Sequence, residues 1–178
     1  MIKKIMTILV IALLLGGCTT NKKADMSAYG IESDKFYEMT MKESYKFLTK
    51  GTGFIYYGFE NCPWCIELVP ILDEITKEHN IDIYYVNVRP EGEDIRSYDD
   101  PDCERVIELT KEYLSLKETD PWAGQPWLYV PQMFAVKDGK IIAAETGIYP
   151  GHIAPEGKMT EEEVRVLTET LLVFFGVK

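Results

Sequence analysis

The stretch whose residue types and spacing could do chemistry is Cys62-Pro63-Trp64-Cys65. It follows the apolar run Phe54-Ile55-Tyr56-Tyr57-Gly58-Phe59 and precedes the helical pattern Ile66-Glu67-Leu68-Val69-Pro70-Ile71-Leu72. That order predicts a strand, a tight turn and a helix. Two intervening residues allow the sulfurs to lie within bonding distance at the helix start, where partial positive charge favours thiolate over thiol. Cys62 is then the attacking sulfur, and Cys65 resolves the mixed disulfide. Dithiol-disulfide exchange is the chemistry this motif predicts.

Two other uses of the same spacing stay open. Half of a zinc site is one, but the chain offers only Cys18, Cys103, His79 and His152 as further soft donors, none paired at a short ligand spacing. No metal is expected. A static structural disulfide is the other, and so short a loop would remove little entropy from the unfolded chain.

The residues around the motif resemble the thioredoxin family. An apolar strand runs into Cys-x-x-Cys; Pro70 falls five positions after Cys65, where thioredoxins carry a helix-kinking proline; and Val130-Pro131 precedes the strand Met133-Phe134-Ala135-Val136, which continues through Lys137-Asp138-Gly139-Lys140 into Ile141-Ile142-Ala143-Ala144 like that family's terminal hairpin. The resemblance implies an α/β thioredoxin fold, a central mixed β-sheet flanked by helices. It also implies a cis Pro131 lying against the sulfurs, although an X-Pro bond is otherwise trans in the great majority of cases. Pro63, Trp64 and Val130 become candidate contacts for a client protein, and no cofactor is required. Two positions depart from the family. Tyr56 stands where thioredoxins usually carry a buried carboxylate, and Asn61 replaces the tryptophan common before the motif. The proton carrier for Cys65 is therefore open; Glu60 is near in sequence, but a strand-end Glu is usually a solvated rim charge.

The elements that must position this motif can be read along the chain. Residues 1–17 carry Lys3 and Lys4, then an apolar stretch from Ile5 to Leu15, the layout of a signal peptide too short for an ordinary membrane span. Leu15-Gly16-Gly17-Cys18 resembles a bacterial lipobox, implying cleavage before Cys18 and lipid on its sulfur; an uncleaved anchor is the alternative. Either outcome predicts export to the outer face of the cell membrane. Loss of residues 1–17 leaves 161 residues with 17 Lys and Arg against 29 Asp and Glu, a formal charge of −12. That balance disfavours nucleic-acid binding. The polar stretch 18–30 is expected as a tether, and 31–178 as one monomeric domain. Thr40 and Glu43 fit a capping box for a helix through Met41, Tyr45 and Leu48. Ile81 to Val88 reads as a strand, so the helix between the two strands implies a parallel crossover. Asp100-Pro101 starts a helix through Leu114, and Thr160 with Glu163 caps the last one.

Residues 90–127 look like an insertion before the Pro131 strand. Its acidic first part, residues 90–104 with Arg96 the lone cation, lacks the regular oxygen spacing of a calcium loop and reads as a solvated segment. Cys103 reads as inert packing, His79 as a helix C-terminal cation, and His152 as an exposed loop residue or, less expectedly, a neighbour of the sulfurs. Trp122 and Trp127 either shape a client groove or pack the insertion onto the domain. The combined expectation is an extracytoplasmic thiol-disulfide oxidoreductase acting on protein thiols and disulfides, with a membrane redox partner if electrons must be supplied. Bacteriocin transport accessory proteins are the narrower resemblance. The competing class is a non-catalytic thioredoxin-fold accessory protein that docks an export system while its disulfide stays static.

Overall fold

A computed structural model describes residues 22–178. Residues 1–17, expected to be a signal segment, and Cys18, the expected lipidation site, lie outside the described residues. Five strands form one mixed sheet in the order β1-β3-β2-β4-β5. They are β1 (Phe36–Glu38), β2 (Gly53–Gly58), β3 (Ile83–Asn87), β4 (Gln132–Lys137) and β5 (Lys140–Thr146), interleaved with α1 (Met41–Lys50), α2 (Pro63–His79), α3 (Pro101–Thr110) and α4 (Glu161–Phe174). β1, β3 and β2 are parallel, β4 runs antiparallel to β2, and β5 returns along β4. This order and these connections are the thioredoxin fold, as the sequence implied.

β2 lies at the centre, which explains its unbroken apolar sequence: Ile55, Tyr56 and Tyr57 expose nothing. Strand alternation sends them to opposite faces. Tyr56 joins the cluster built with α2 and α4, whereas Ile55 and Tyr57 join the cluster built with α1 and α3. Burying a purely apolar side chain such as Ile55 is worth about 1.5–3 kcal/mol.

The helix starts are fixed by polar side chains. Thr40 and Thr160 each close a capping box, with Glu43 and Glu163 accepting the cap's own N–H at 2.9 and 2.7 Å. Asp100 accepts from the N–H groups of Asp102 and Cys103 at 3.0 and 2.8 Å. In the β4–β5 turn, Asp138 and Gly139 have φ of 51° and 71°, the pairing a tight twisted hairpin needs. Gly139 N–H donates to Gly51 at 2.8 Å, and a Cβ there would overlap the Thr49 carbonyl.

The tether expectation is corrected in part. Residues 22–30 pack on the domain: Lys23 bridges Tyr37, Ala24 N–H donates to the Phe36 carbonyl at 3.0 Å, and Ala24, Met26 and Tyr29 are buried. Three buried residues spread through a polar run lack the periodicity that reveals a packed segment, and the strand this run pairs with, β1, is only three residues long. Residues 90–127 also hold ordinary structure. α3 lies within them against α1, and residues 115–127 fold back through Leu116–Pro126 pairing.

Candidate functional site

Cys62 is the N-cap of α2, and Pro63 occupies the first helical position, where its missing N–H costs nothing. The Cys62 sulfur accepts a hydrogen bond from Cys65 N–H at 3.3 Å, so the side chain that would do the chemistry also caps the helix. Cys65 lies one turn in and is fully buried. Both are free thiols here. The hydrogen bond from the Cys65 thiol, then the N–H groups of Cys65 and Trp64 and the charge of Arg96, bring Cys62 down to about 7, although burial opposes them. Burial pushes Cys65 strongly the other way. One helix start thus holds two sulfurs of opposite character.

The Val130–Pro131 peptide is cis. The Val130 carbonyl lies 3.8 Å from the Cys62 sulfur, where the thiol can donate weakly. Pro131 is held at the head of β4 by Gly147 N–H on its carbonyl at 2.8 Å. The next residue, Gln132, is buried and bonds the carbonyls of Met133 and Glu145 at 3.1 and 3.0 Å. The start of α2, with Cys62, Pro63, Trp64 and Cys65, therefore meets the Val130–Pro131 segment through the Val130 carbonyl. Cys62 exposes only 2% of its surface. Trp64 and Val130 are part-exposed and pack on the cluster that contains both sulfurs.

Arg96, whose sequence context predicts a charge in a solvated loop, belongs to this neighbourhood. Its side chain is 10% exposed. It grips Asp94 with two bonds of 2.9 and 2.6 Å, donates to the Leu128 carbonyl at 3.4 Å, and lies 5.6 Å from the Phe59 ring centre, over which Arg89 also stacks at 4.0 Å. Burial works against the Asp94 charge, but the hydrogen bonds and charge of Arg96, with Arg89, bring that carboxyl down to about 2. The only sequence signal was a lone cation in an acidic stretch.

Other candidates fall elsewhere. His152 is neither exposed nor committed to the sulfurs: its side chain is 9% exposed, and its nitrogens face Glu67 at 3.2 Å and Glu163 at 3.8 Å. Glu67 also accepts from Met159 N–H at 2.8 Å, so the loop before α4 is latched to α2. Cys103 is buried packing, pushed by burial up to about 12. Trp127 is buried with Lys117 over its ring at 3.7 Å, and Trp122 packs on Tyr98 at 5.3 Å. Those contacts fit the packing role for both tryptophans. Among the described residues, no group of three or more His, Cys, Asp or Glu is arranged to hold a metal ion, and no helix is long and apolar enough to cross a membrane.

No family model and no curated protein matches the chain. Among solved structures it is similar to thioredoxin O2 from Arabidopsis thaliana in its oxidized state, at 14% identity over 77% of this chain and 94% of that one, with a TM-score of 0.40. At that distance the likeness says nothing of chemistry, and the fold stands on strand order and connection alone.

Proposed function

We propose that this protein is a thiol-disulfide oxidoreductase that exchanges a Cys62–Cys65 disulfide with protein clients. The observation that carries the reading is the asymmetry of the two sulfurs: a helix-capping Cys62 poised near neutral pH beside a fully buried Cys65. The Cys62 thiolate attacks a client disulfide, and one client sulfur leaves as thiolate. Cys65 then loses its proton to solvent and attacks Cys62, so the Cys62–Cys65 bond forms as the second client thiolate departs. The client gains two electrons and the protein loses them; run backwards, the same steps oxidise a client.

The test is equilibration of the full chain with glutathione or dithiothreitol and trapping of free thiols. A two-electron transition is expected that vanishes in Cys62→Ser and Cys65→Ser. A value near about −270 mV would mark a reductant and one near about −120 mV a disulfide donor. A dithiol that never oxidises, or a disulfide that resists reduction in the folded protein, would sink the enzymatic reading and leave the accessory-protein one. The location of this chemistry is proposed on the sequence of residues 1–18: export, cleavage before Cys18, and lipid anchorage at the outer face of the membrane. Incorporation of labelled palmitate, lost in Cys18→Ala, tests it. The narrower proposal, service to a bacteriocin export system, would show as a mixed disulfide between a Cys65→Ser trap and an exported cysteine-containing peptide.

A further inference from the structure

Three phenols line the core beside Cys65. Tyr56 from β2, Tyr85 from β3 and Tyr29 from the N-terminal segment share one apolar cluster with both sulfurs. The Tyr56 and Tyr85 rings stack at 5.6 Å and 21°, while Tyr29 meets Tyr85 edge-on at 6.2 Å. Tyr29 and Tyr85 satisfy each other through hydroxyls 3.0 Å apart. Tyr56 does not share in this. Its hydroxyl is fully buried and has no hydrogen-bond partner.

A buried hydroxyl without a partner gives up its hydration and gains nothing in return, and phenylalanine would fill the same space without that loss. The backbone nonetheless makes room for it. The Tyr56 hydroxyl lies over Gly58, where a Cβ would overlap the oxygen and fall 2.6 Å from Cζ. The thiol that acts on this phenol is that of Cys65, followed by the hydroxyl of Tyr29, and Cys65 in turn feels Tyr56.

We infer that the Tyr56 hydroxyl is a hydrogen-bond donor held in reserve for the Cys65 thiolate, which exists only while a mixed disulfide is being resolved. The inference rests on the exchange reaction proposed above. As a thiol, Cys65 is a weak acceptor and the hydroxyl goes unused. As a thiolate it is a strong one, so the interaction is realised on the way to the transition state and is absent from the resting state. Burial suppresses ionisation of Tyr56 itself, so the phenol does not take the proton. That proton goes to solvent. Cys65 then attacks Cys62, the Cys62–client bond breaks, and the client sulfur leaves with the electron pair. The titratable groups that share the cluster with Cys65 and feel its charge are Cys62 on its own helix, Tyr56 on β2, Tyr85 on β3 and Tyr29; Glu60 acts on Tyr85, and Arg96 acts on Cys62.

The test uses the reduced full chain and 5,5′-dithiobis(2-nitrobenzoate) in stopped flow. The first thionitrobenzoate released reports attack by Cys62, and the second reports resolution by Cys65. In Tyr56→Phe the first phase is expected to stay within about twofold, whereas the second slows about tenfold at pH 7 and its pH profile moves up by about one unit. Gly58→Ala, which keeps the hydroxyl but displaces it, is expected to slow the second phase in the same way. An unchanged second phase and profile in Tyr56→Phe overturns the inference, and so does equal slowing of both phases. Wild-type protein that releases no second equivalent would overturn the exchange reading itself, a result visible before any variant is made.

Discussion

At the scale of the residue, the site depends on which groups reach Cys62. The N–H groups of Cys65 and Trp64 belong to the helix start and persist in any variant that keeps the helix, whereas the Cys65 thiol is lost in Cys65→Ser and Arg96 is a separate cation supplied from a distant loop. Alkylation of Cys62 by iodoacetamide in Cys65→Ser and in wild type should therefore titrate separably, with the wild-type midpoint near pH 7. Removing a positive charge makes the thiolate less stable, so Arg96→Gln is expected to move that midpoint upward by less than about one unit. A midpoint that stays put would show that Arg96 serves the loop alone. Cys62 is also covered, and Trp64 is a candidate cover. Trp64→Ala should raise the alkylation rate at saturating pH without moving the midpoint, since access and ionisation are separate quantities.

At the scale of the element, α2 is held from both ends of the site. Its start is capped by the reactive sulfur, and its next turn is tied by Glu67 to His152 and Met159, which also fixes the loop leading into α4. α4 is capped by Thr160, so Thr160→Ala should cost about 1 kcal/mol in urea unfolding. The β4–β5 hairpin is less forgiving. Gly139 combines positive φ with a backbone contact on Thr49, and neither flexes as a side-chain end would. Gly139→Ala is expected to cost about 2–4 kcal/mol, more than the lost cap, because strain at the turn adds to the overlap. Equal losses in the two variants would mean that the hairpin turn relaxes away from α1.

At the scale of the whole molecule, a single sheet separates two apolar layers, and Cys62 and Cys65 lie in the layer shared by α2 and α4. The N-terminal segment closes that layer through Met26 and Tyr29, and Tyr29 continues into the phenol cluster beside Cys65. Met26→Ala should therefore cost about 2–4 kcal/mol in the unfolding midpoint, as a core truncation does. A residue on a tether would lose almost nothing. Residues 22–30 thus belong to the architecture of the site, although they lie more than thirty positions before Cys62.

Local signals sufficed for much of this. Cys-Pro-Trp-Cys between an apolar strand and a helical pattern placed the reactive pair, and threonine-glutamate pairs three apart placed two helix starts, because capping and periodicity act within a few residues. The central strand was legible from its unbroken apolar run, and the hairpin through Asp138-Gly139 from its likeness to the family's terminal hairpin. Contacts between distant positions were not legible. Arg96 became a neighbour of Cys62 only because residues 89–96 fold back over Phe59, and His152 found Glu67 and Glu163 only after α2 and α4 packed. Tyr56 looked like a missing acid in the sequence. The tertiary structure made it an unpartnered phenol beside a buried thiol, since burial and the space left by Gly58 are properties of packing and not of neighbours along the chain.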